Sequence, residues 1–314
     1  MPVAGSPHTF SAPGLYGKIP AQGDFVRVQA SDPAVRAFAL WLEGGSEPVR
    51  RRGWKTGPAP VRFVFHSSSA PRVLVGVLGE SRDKVGREFP LAVFVSAEAP
   101  ALREPFPALP VALRSFLDGA DRLLQEAPRL ATSDLPARLG LLPVPEAGAL
   151  ERGAAEAREL GAAGSGQAFL TRLFGDLGPG QSLYGLHCLR TACEPVRGQE
   201  PALARAVLDC PVREDVDRWA WLEMARRLLR WTGPPSFFWR EGAQSRLLLS
   251  LGPPPPSLFG VLCEEAQTDA KVWPLTTRQQ AAVEAARKAL GSSVVQSLDD
   301  PNQSVADLVG AVAS

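Results

Sequence analysis

Val73-Leu74-Val75-Gly76-Val77-Leu78, then Ser81-Arg82-Asp83-Lys84-Val85-Gly86-Arg87-Glu88, then Phe89-Pro90-Leu91-Ala92-Val93-Phe94-Val95: this succession decides the fold. Two apolar runs of strand length, rich in β-branched residues, flank a short charged loop. So short a connection joins antiparallel neighbours. Gly86 supplies the residue that takes unusual backbone angles at little cost. Pro90 cannot donate a ladder hydrogen bond, which places it at a strand start or on an edge. The expectation is a hairpin of strands 73–78 and 89–95.

Upstream, Val61–His66 reads as a third strand, and 16–19 and 25–28 as two short ones joined by the turn Pro20-Ala21-Gln22-Gly23-Asp24. Tyr16, Lys18 and Asp24 are candidate surface contacts there. Ser31-Asp32-Pro33 is a helix start, a capping side chain followed by proline. Val35, Phe38, Ala39 and Leu42 follow at helical spacing, and Gly44-Gly45 is read as the stop, giving a helix over 32–43. Downstream, 109–127 carries Leu113, Phe116, Leu117, Ala120, Leu123 and Leu124 on one helical face before Pro128 ends it. The order β-β-α-β-β-β-α gives class α+β, an antiparallel sheet flanked by helices, and is similar to longin- and profilin-like domains.

The chain divides at its Ala-, Gly- and Pro-rich middle. The expectation is an N-terminal α+β domain over 1–130, a linker over 131–166 with a helical segment at 151–160, and a smaller C-terminal α+β half over 167–314. In that half the reading gives helices at 167–174, 201–210, 216–230, 258–266 and 277–290, with a short last one at 303–312. It places strands at 183–191, 237–239 and 247–251. Pro253–Pro256 reads as a rigid link.

The chain has 314 residues, of which 45% are hydrophobic, and its 34 Lys+Arg against 33 Asp+Glu leave a net charge of +1. That balance argues against a nucleic-acid binder and against electrostatic membrane binding. No run approaches the ~20 apolar residues of a membrane span. The first residues lack the pattern of a signal peptide, so the expected compartment is the cytoplasm. Cys188, Cys193, Cys210 and Cys263 lack zinc-ligand spacing, and His8, His66 and His187 are scattered. Each cysteine is expected to be reduced, buried and inert. No nucleophile elbow, P-loop or HExxH motif is present, and the glycines of 161–166 follow no strand. No catalytic residue, metal site or cofactor is expected.

The candidate binding residues come from a mismatch of ends. The strands around the loop are apolar, while the loop itself carries Arg82, Asp83, Lys84, Arg87 and Glu88. Arg87 can grip a carboxylate or phosphate in bidentate fashion. The alternative is that Arg87 pairs with Asp83 and holds the loop in shape. A second cluster, Arg50-Arg51-Arg52-Gly53-Trp54-Lys55, is either a phosphate or acidic-protein contact around Trp54 or a solvated loop.

Asp83-Lys84-Val85-Gly86-Arg87-Glu88-Phe89-Pro90-Leu91 resembles the signature loop of the TagF/ImpM family, accessory proteins of bacterial type VI secretion. Gly14-Leu15-Tyr16-Gly17-Lys18-Ile19-Pro20 with Gly23-Asp24-Phe25-Val26 is similar to that family's opening block. Pro235-Ser236-Phe237-Phe238-Trp239 and Gly252-Pro253-Pro254-Pro255-Pro256 resemble its later aromatic and proline-rich blocks. No counterpart is recognised for residues 276–314. The resemblance implies a cytoplasmic regulator that represses secretion after translation by binding a forkhead-associated-domain scaffold, opposed by a threonine-phosphorylation pathway, without enzymatic turnover. The competing readings are a structural adaptor recruiting secretion components, and an uncharacterised hydrolase with a site between the halves.

Overall fold

The computed structural model describes residues 10–52, 60–146, 148–177, 180–203, 205–242, 245–263, 269–277 and 279–314. The first half runs β1 (Gly14–Gly17), β2 (Val26–Val28), α1 (Pro33–Arg51), β3 (Val61–His66), β4 (Arg72–Gly79), β5 (Leu91–Glu98), α2 (Leu109–Ala112), α3 (Arg114–Glu126) and α4 (Leu135–Gly140). It continues with α5 (Ala149–Ala163), α6 (Gly166–Phe174), α7 (Gln181–Cys193), β6 (Val207–Pro211), α8 (Asp215–Leu229), β7 (Phe237–Trp239) and β8 (Arg246–Ser250). Last come α9 (Leu258–Cys263), β9 (Val272–Pro274), α10 (Gln280–Leu290), α11 (Ser292–Leu298) and α12 (Val305–Ala313).

The class is α+β, as the sequence predicts. The described strands form one sheet in the order β2-β1-β5-β4-β3-β7-β8-β6-β9. All its pairings are antiparallel except β6 with β9. The hairpin is β4 against β5, with Val75 opposite Val95 and Pro90 immediately before the strand. Helices α1 and α9 cover one face, and most of the other helices cover the second. On the α1 face a row crosses the sheet from Phe94 through Gly76, Phe63 and Phe238 to Leu248. Phe38 of α1 stacks on Phe63 at 4.8 Å, and Trp41 stacks on Phe238 at 5.3 Å. Phe38 is fully buried, a burial that contributes about 2–3 kcal/mol.

Helix α1 begins as read: Asp32 Oδ1 accepts from the Ala34 amide at 2.8 Å, with Pro33 in the first turn. It does not end at Gly44-Gly45 but runs on to Arg51, through Pro48. The reason is packing. A Cβ on Gly45 would lie 2.4 Å from Phe259 Cβ and 2.6 Å from the Pro256 carbonyl oxygen. The glycine lets α9 and the Pro-rich turn before it lie against α1, where Pro255 also accepts from Trp41 Nε1 at 3.1 Å.

Two expectations in the second half are corrected. Residues 183–191 are not a strand but lie inside α7, with Leu183, Leu186, Leu189 and Cys193 buried along one side. Residues 201–210 are not a helix: β6 occupies Val207–Pro211, sends Val207 to one face and Leu208 to the other, and pairs with β8. The helix expected at 109–127 is broken at Leu113 into α2 and α3.

Two packed units were expected, with a linker between them. Within 131–166, α4 and α5 are helices, and α5 is packed: Leu150 and Ala157 are buried, and Gly153 lies so close to Ala112 that a Cβ there would meet Ala112 Cβ at 2.4 Å. The sheet itself passes from one half into the other where β3 pairs with β7, Val64 opposite Phe237. Ser236 Oγ accepts from the His66 amide at 2.9 Å and donates to its carbonyl at 3.0 Å. Beside this seam the Arg62 guanidinium donates to Asp118 at 2.6 Å, Asp121 at 2.7 Å and Glu241 at 3.3 Å, so both halves share one cation.

Candidate partner-binding site

The loop 81–88 is a tight turn inside a wider one. The Gly86 amide donates to the Asp83 carbonyl at 3.0 Å, with Gly86 at φ 85°, the left-handed region that glycine occupies without strain. Arg82 and Glu88 bridge the base of the loop.

Its centre is an ion cluster around a buried carboxylate. The Asp83 carboxylate is fully enclosed. Oδ2 accepts from Lys18 Nζ at 2.8 Å and from Arg87 Nε at 2.6 Å. Oδ1 accepts from the amides of Val85 at 3.0 Å and Arg87 at 2.9 Å. Burial opposes the charge, but hydrogen bonds from Lys18, the Arg87 amide and guanidinium, and the Val85 amide outweigh it and hold the carboxyl well below the usual range. Asp83 therefore stays ionised at neutral pH with both oxygens occupied, and it serves as an internal anchor.

The anchor ties two sequence blocks together. Ser81 Oγ donates to the Lys18 carbonyl at 2.6 Å, the Lys84 amide to the Gln22 carbonyl at 3.0 Å, and Arg87 Nη2 to the Gly23 carbonyl at 2.5 Å. Beside the loop Phe25 stacks on Tyr16 at 5.5 Å and meets Phe89 edge-on at 4.8 Å, with the Lys18 and Arg27 cations over the Phe25 ring at 5.4 and 5.9 Å. Tyr16 and Lys18, read from sequence as surface contacts, are buried. Burial and then the Glu43 carboxylate, which accepts from the Tyr16 hydroxyl at 3.1 Å, push that hydroxyl up to about 12. Asp24 is exposed and accepts from the Phe25 amide at 2.7 Å.

Arg82, Lys84, Val85, Arg87 and Glu88 face outward from this base. Of the two alternatives that the sequence allowed, Arg87 takes the second and pairs with Asp83, while its side chain remains 59% exposed. Arg82 and Glu88 also border a trough of about 730 Å³ whose walls include Pro20, Pro60, Leu124 and Pro128. Trp54, with Gly53 and Lys55, lies outside the described residues; of its neighbours, Arg51 pairs with Glu47 at 2.5 Å. Among the described residues no group of three or more His, Cys, Asp or Glu is placed to hold a metal ion, and no helix is long and apolar enough to cross a membrane. Sequence reasoning missed Lys18 as the counterion of Asp83 and missed the proline-walled trough. No local signal pairs Lys18 with Asp83, although the two residues sit in the two blocks that carry the resemblance.

With this geometry in hand, comparison with known proteins is specific for the first half. Residues 14–139 match the family model described as the TagF N-terminal domain, type VI secretion system-associated. No curated protein matches the chain. Among solved structures, the crystal structure of PA0076 from Pseudomonas aeruginosa PAO1 is similar with a TM-score of 0.50 at 18% identity, over 83% of this chain and 98% of that one, a likeness of fold.

Proposed function

We propose that this chain, which carries a TagF N-terminal domain and so is associated with type VI secretion, acts in the cytoplasm as a repressor that captures a forkhead-associated-domain scaffold of the apparatus by surface contact, without turnover. The observation that carries the reading is the exposed charge of Arg82, Lys84 and Glu88 on a base locked by the buried Asp83 carboxylate, held by Lys18 and Arg87. A rigid base lowers the ordering cost of binding. Arginine, lysine and glutamate together present donors and an acceptor to a polar protein surface, and the trough beside them offers an apolar wall.

The test separates contact from shape. Arg82→Ala combined with Lys84→Ala removes outward groups and leaves the Asp83 anchor intact. Capture of the purified scaffold should fall at least tenfold while the melting temperature stays within about 1 °C, because surface changes of this kind move stability by less than ~0.5 kcal/mol. Normal capture by that double variant places the interface elsewhere. Deletion of the gene should raise secretion; a drop would make the protein an adaptor and sink the repressor reading.

A further inference from the structure

A second concave surface lies where the resemblance to the TagF family gives no role, and no residue lines both it and the trough beside the 81–88 loop. It is a groove of about 710 Å³ between α5 and α8. Along one wall α5 presents Leu150, Ala154, Arg158 and Ala162, every fourth residue. Along the other α8 presents Trp219, Glu223 and Arg227, again every fourth. Two such rows facing each other form the channel into which the side-chain ridge of a third helix packs. Pro105, Pro107, Ala108 and Ala306 add apolar lining.

At one end the groove runs into a recess of about 350 Å³ that shares Glu104, Arg226 and Arg227 and adds Arg103 and Arg230. The joined surface holds five arginines against Glu104, Glu151 and Glu223, on a chain that is close to neutral overall. Arg226 and Arg227 both bind the Glu223 carboxylate, at 2.8 and 2.7 Å, which keeps their planes fixed along the wall. Arg230 is exposed, and among the described residues no ion pair satisfies it. Its backbone sits at φ 55° at the end of α8, the left-handed position that glycine ordinarily takes.

We propose that this groove binds an amphipathic α-helix of a partner protein, with an apolar stripe entering between α5 and α8 and acidic residues at the end that reaches Arg103 and Arg230. Helix-in-groove recognition reads apolar anchors at i, i+3, i+4 and i+7. The basic end fixes the direction of the bound helix, since only one orientation brings its carboxylates to the arginines.

The experiment is a selection from a helix-forming peptide library displayed on phage, using the full chain as target, followed by affinity measurement with synthetic copies of the enriched peptides. Enriched peptides should share an apolar stripe with an acidic end. Their affinity should fall tenfold or more with Arg103→Glu plus Arg230→Glu, and likewise with Ala162→Arg, an exposed position whose new side chain fills the groove. Lys84→Ala should leave it unchanged, which keeps this result independent of the 81–88 loop. Both groove variants should melt within about 2 °C of the parent. The proposal is overturned if no peptide is enriched, if the winners are basic or lack a stripe, or if the groove variants bind them normally. It is also overturned if sedimentation shows a dimer that Ala162→Arg dissolves, since the occupant is then a second copy. Binding of phosphatidylglycerol vesicles in place of peptide, lost in the Arg103/Arg230 variant, would make the groove a lipid site.

Discussion

Gly44 and Gly45 are neighbours on one helix, and alanine should move stability in opposite directions at the two. Replacing an unneeded helical glycine by alanine stabilises by about 1 kcal/mol, through helix propensity and the lower entropy of the unfolded chain. At Gly44 nothing opposes that gain. The residue is exposed, and a new Cβ would lie 3.4 Å from Pro256 Cβ, an ordinary contact. At Gly45 the same methyl would stand 2.4 Å from Phe259 Cβ and 2.6 Å from the Pro256 carbonyl oxygen, so α9 must move away from α1. Overpacking of that kind costs about 3 kcal/mol at the upper end of its range. Less the propensity gain, Gly45→Ala should lose about 2 kcal/mol, a drop of roughly 4 °C in a chain of this size, against a rise of 1–2 °C for Gly44→Ala. Thermal unfolding followed by tryptophan fluorescence reads both, because Trp41 lies in the same contact through Phe259 at 5.9 Å. If Gly45→Ala melts with or above Gly44→Ala, the α1–α9 contact is not closed and the reason given for the long helix fails.

Two titration experiments follow from buried carboxyls. Asp83 has a depressed folded value, so its stabilising effect is complete above the unfolded value near 3.8 and is lost as the pH falls through the folded one. Asp83→Asn should melt several degrees below the parent at pH 7, with the gap narrowing below about pH 4; a gap independent of pH would show that the charge is not what holds the loop. Glu200 is the reverse case: burial raises it to about 7, and the neighbouring His66, 3.5 Å away, is lowered by burial, so it is no strong counterion. Its neutral form favours the fold below the unfolded value near 4.5, and that contribution disappears as the pH rises through 7. Glu200→Gln should therefore melt increasingly above the parent between pH 5 and pH 8, and a constant difference over that range would contradict the assignment.

The hairpin, the start of α1 and the antiparallel arrangement of the first half are local matters of alternation, capping and loop length, and these are legible in the chain. What failed involved partners distant in sequence. Gly44-Gly45 looks like a helix stop until Phe259, more than two hundred residues later, is known to need the space. Strand β6 is buried on both faces, and a short run of that kind has no period to separate it from a helix. Helix α7 was within reach, since Leu183, Leu186 and Leu189 recur every three residues. Gly185 is there because a Cβ would meet the Leu275 carbonyl oxygen at 2.7 Å. At the site, the charged loop and the pairing of Arg87 with Asp83 were both visible. That Asp83 is enclosed by Lys18 was not, since nothing local brings residue 18 to residue 83.

The join of β3 to β7 bears on modularity. The segment with a recognisable family signature ends at residue 139, while the strand that completes its sheet begins at Phe237. Severed there, the first half would present β3 as a bare edge, with the backbone groups that face β7 unmatched and Phe63 and Val64 without Phe238 and Phe237 beside them. Such an edge is a template for association with other chains. Arg62 would lose Glu241, and His66 would lose the hydroxyl of Ser236. The stretch that carries the inheritance of the protein is thus not one that can be transplanted alone; gene fusions and truncations that respect its architecture must carry the later strands with it.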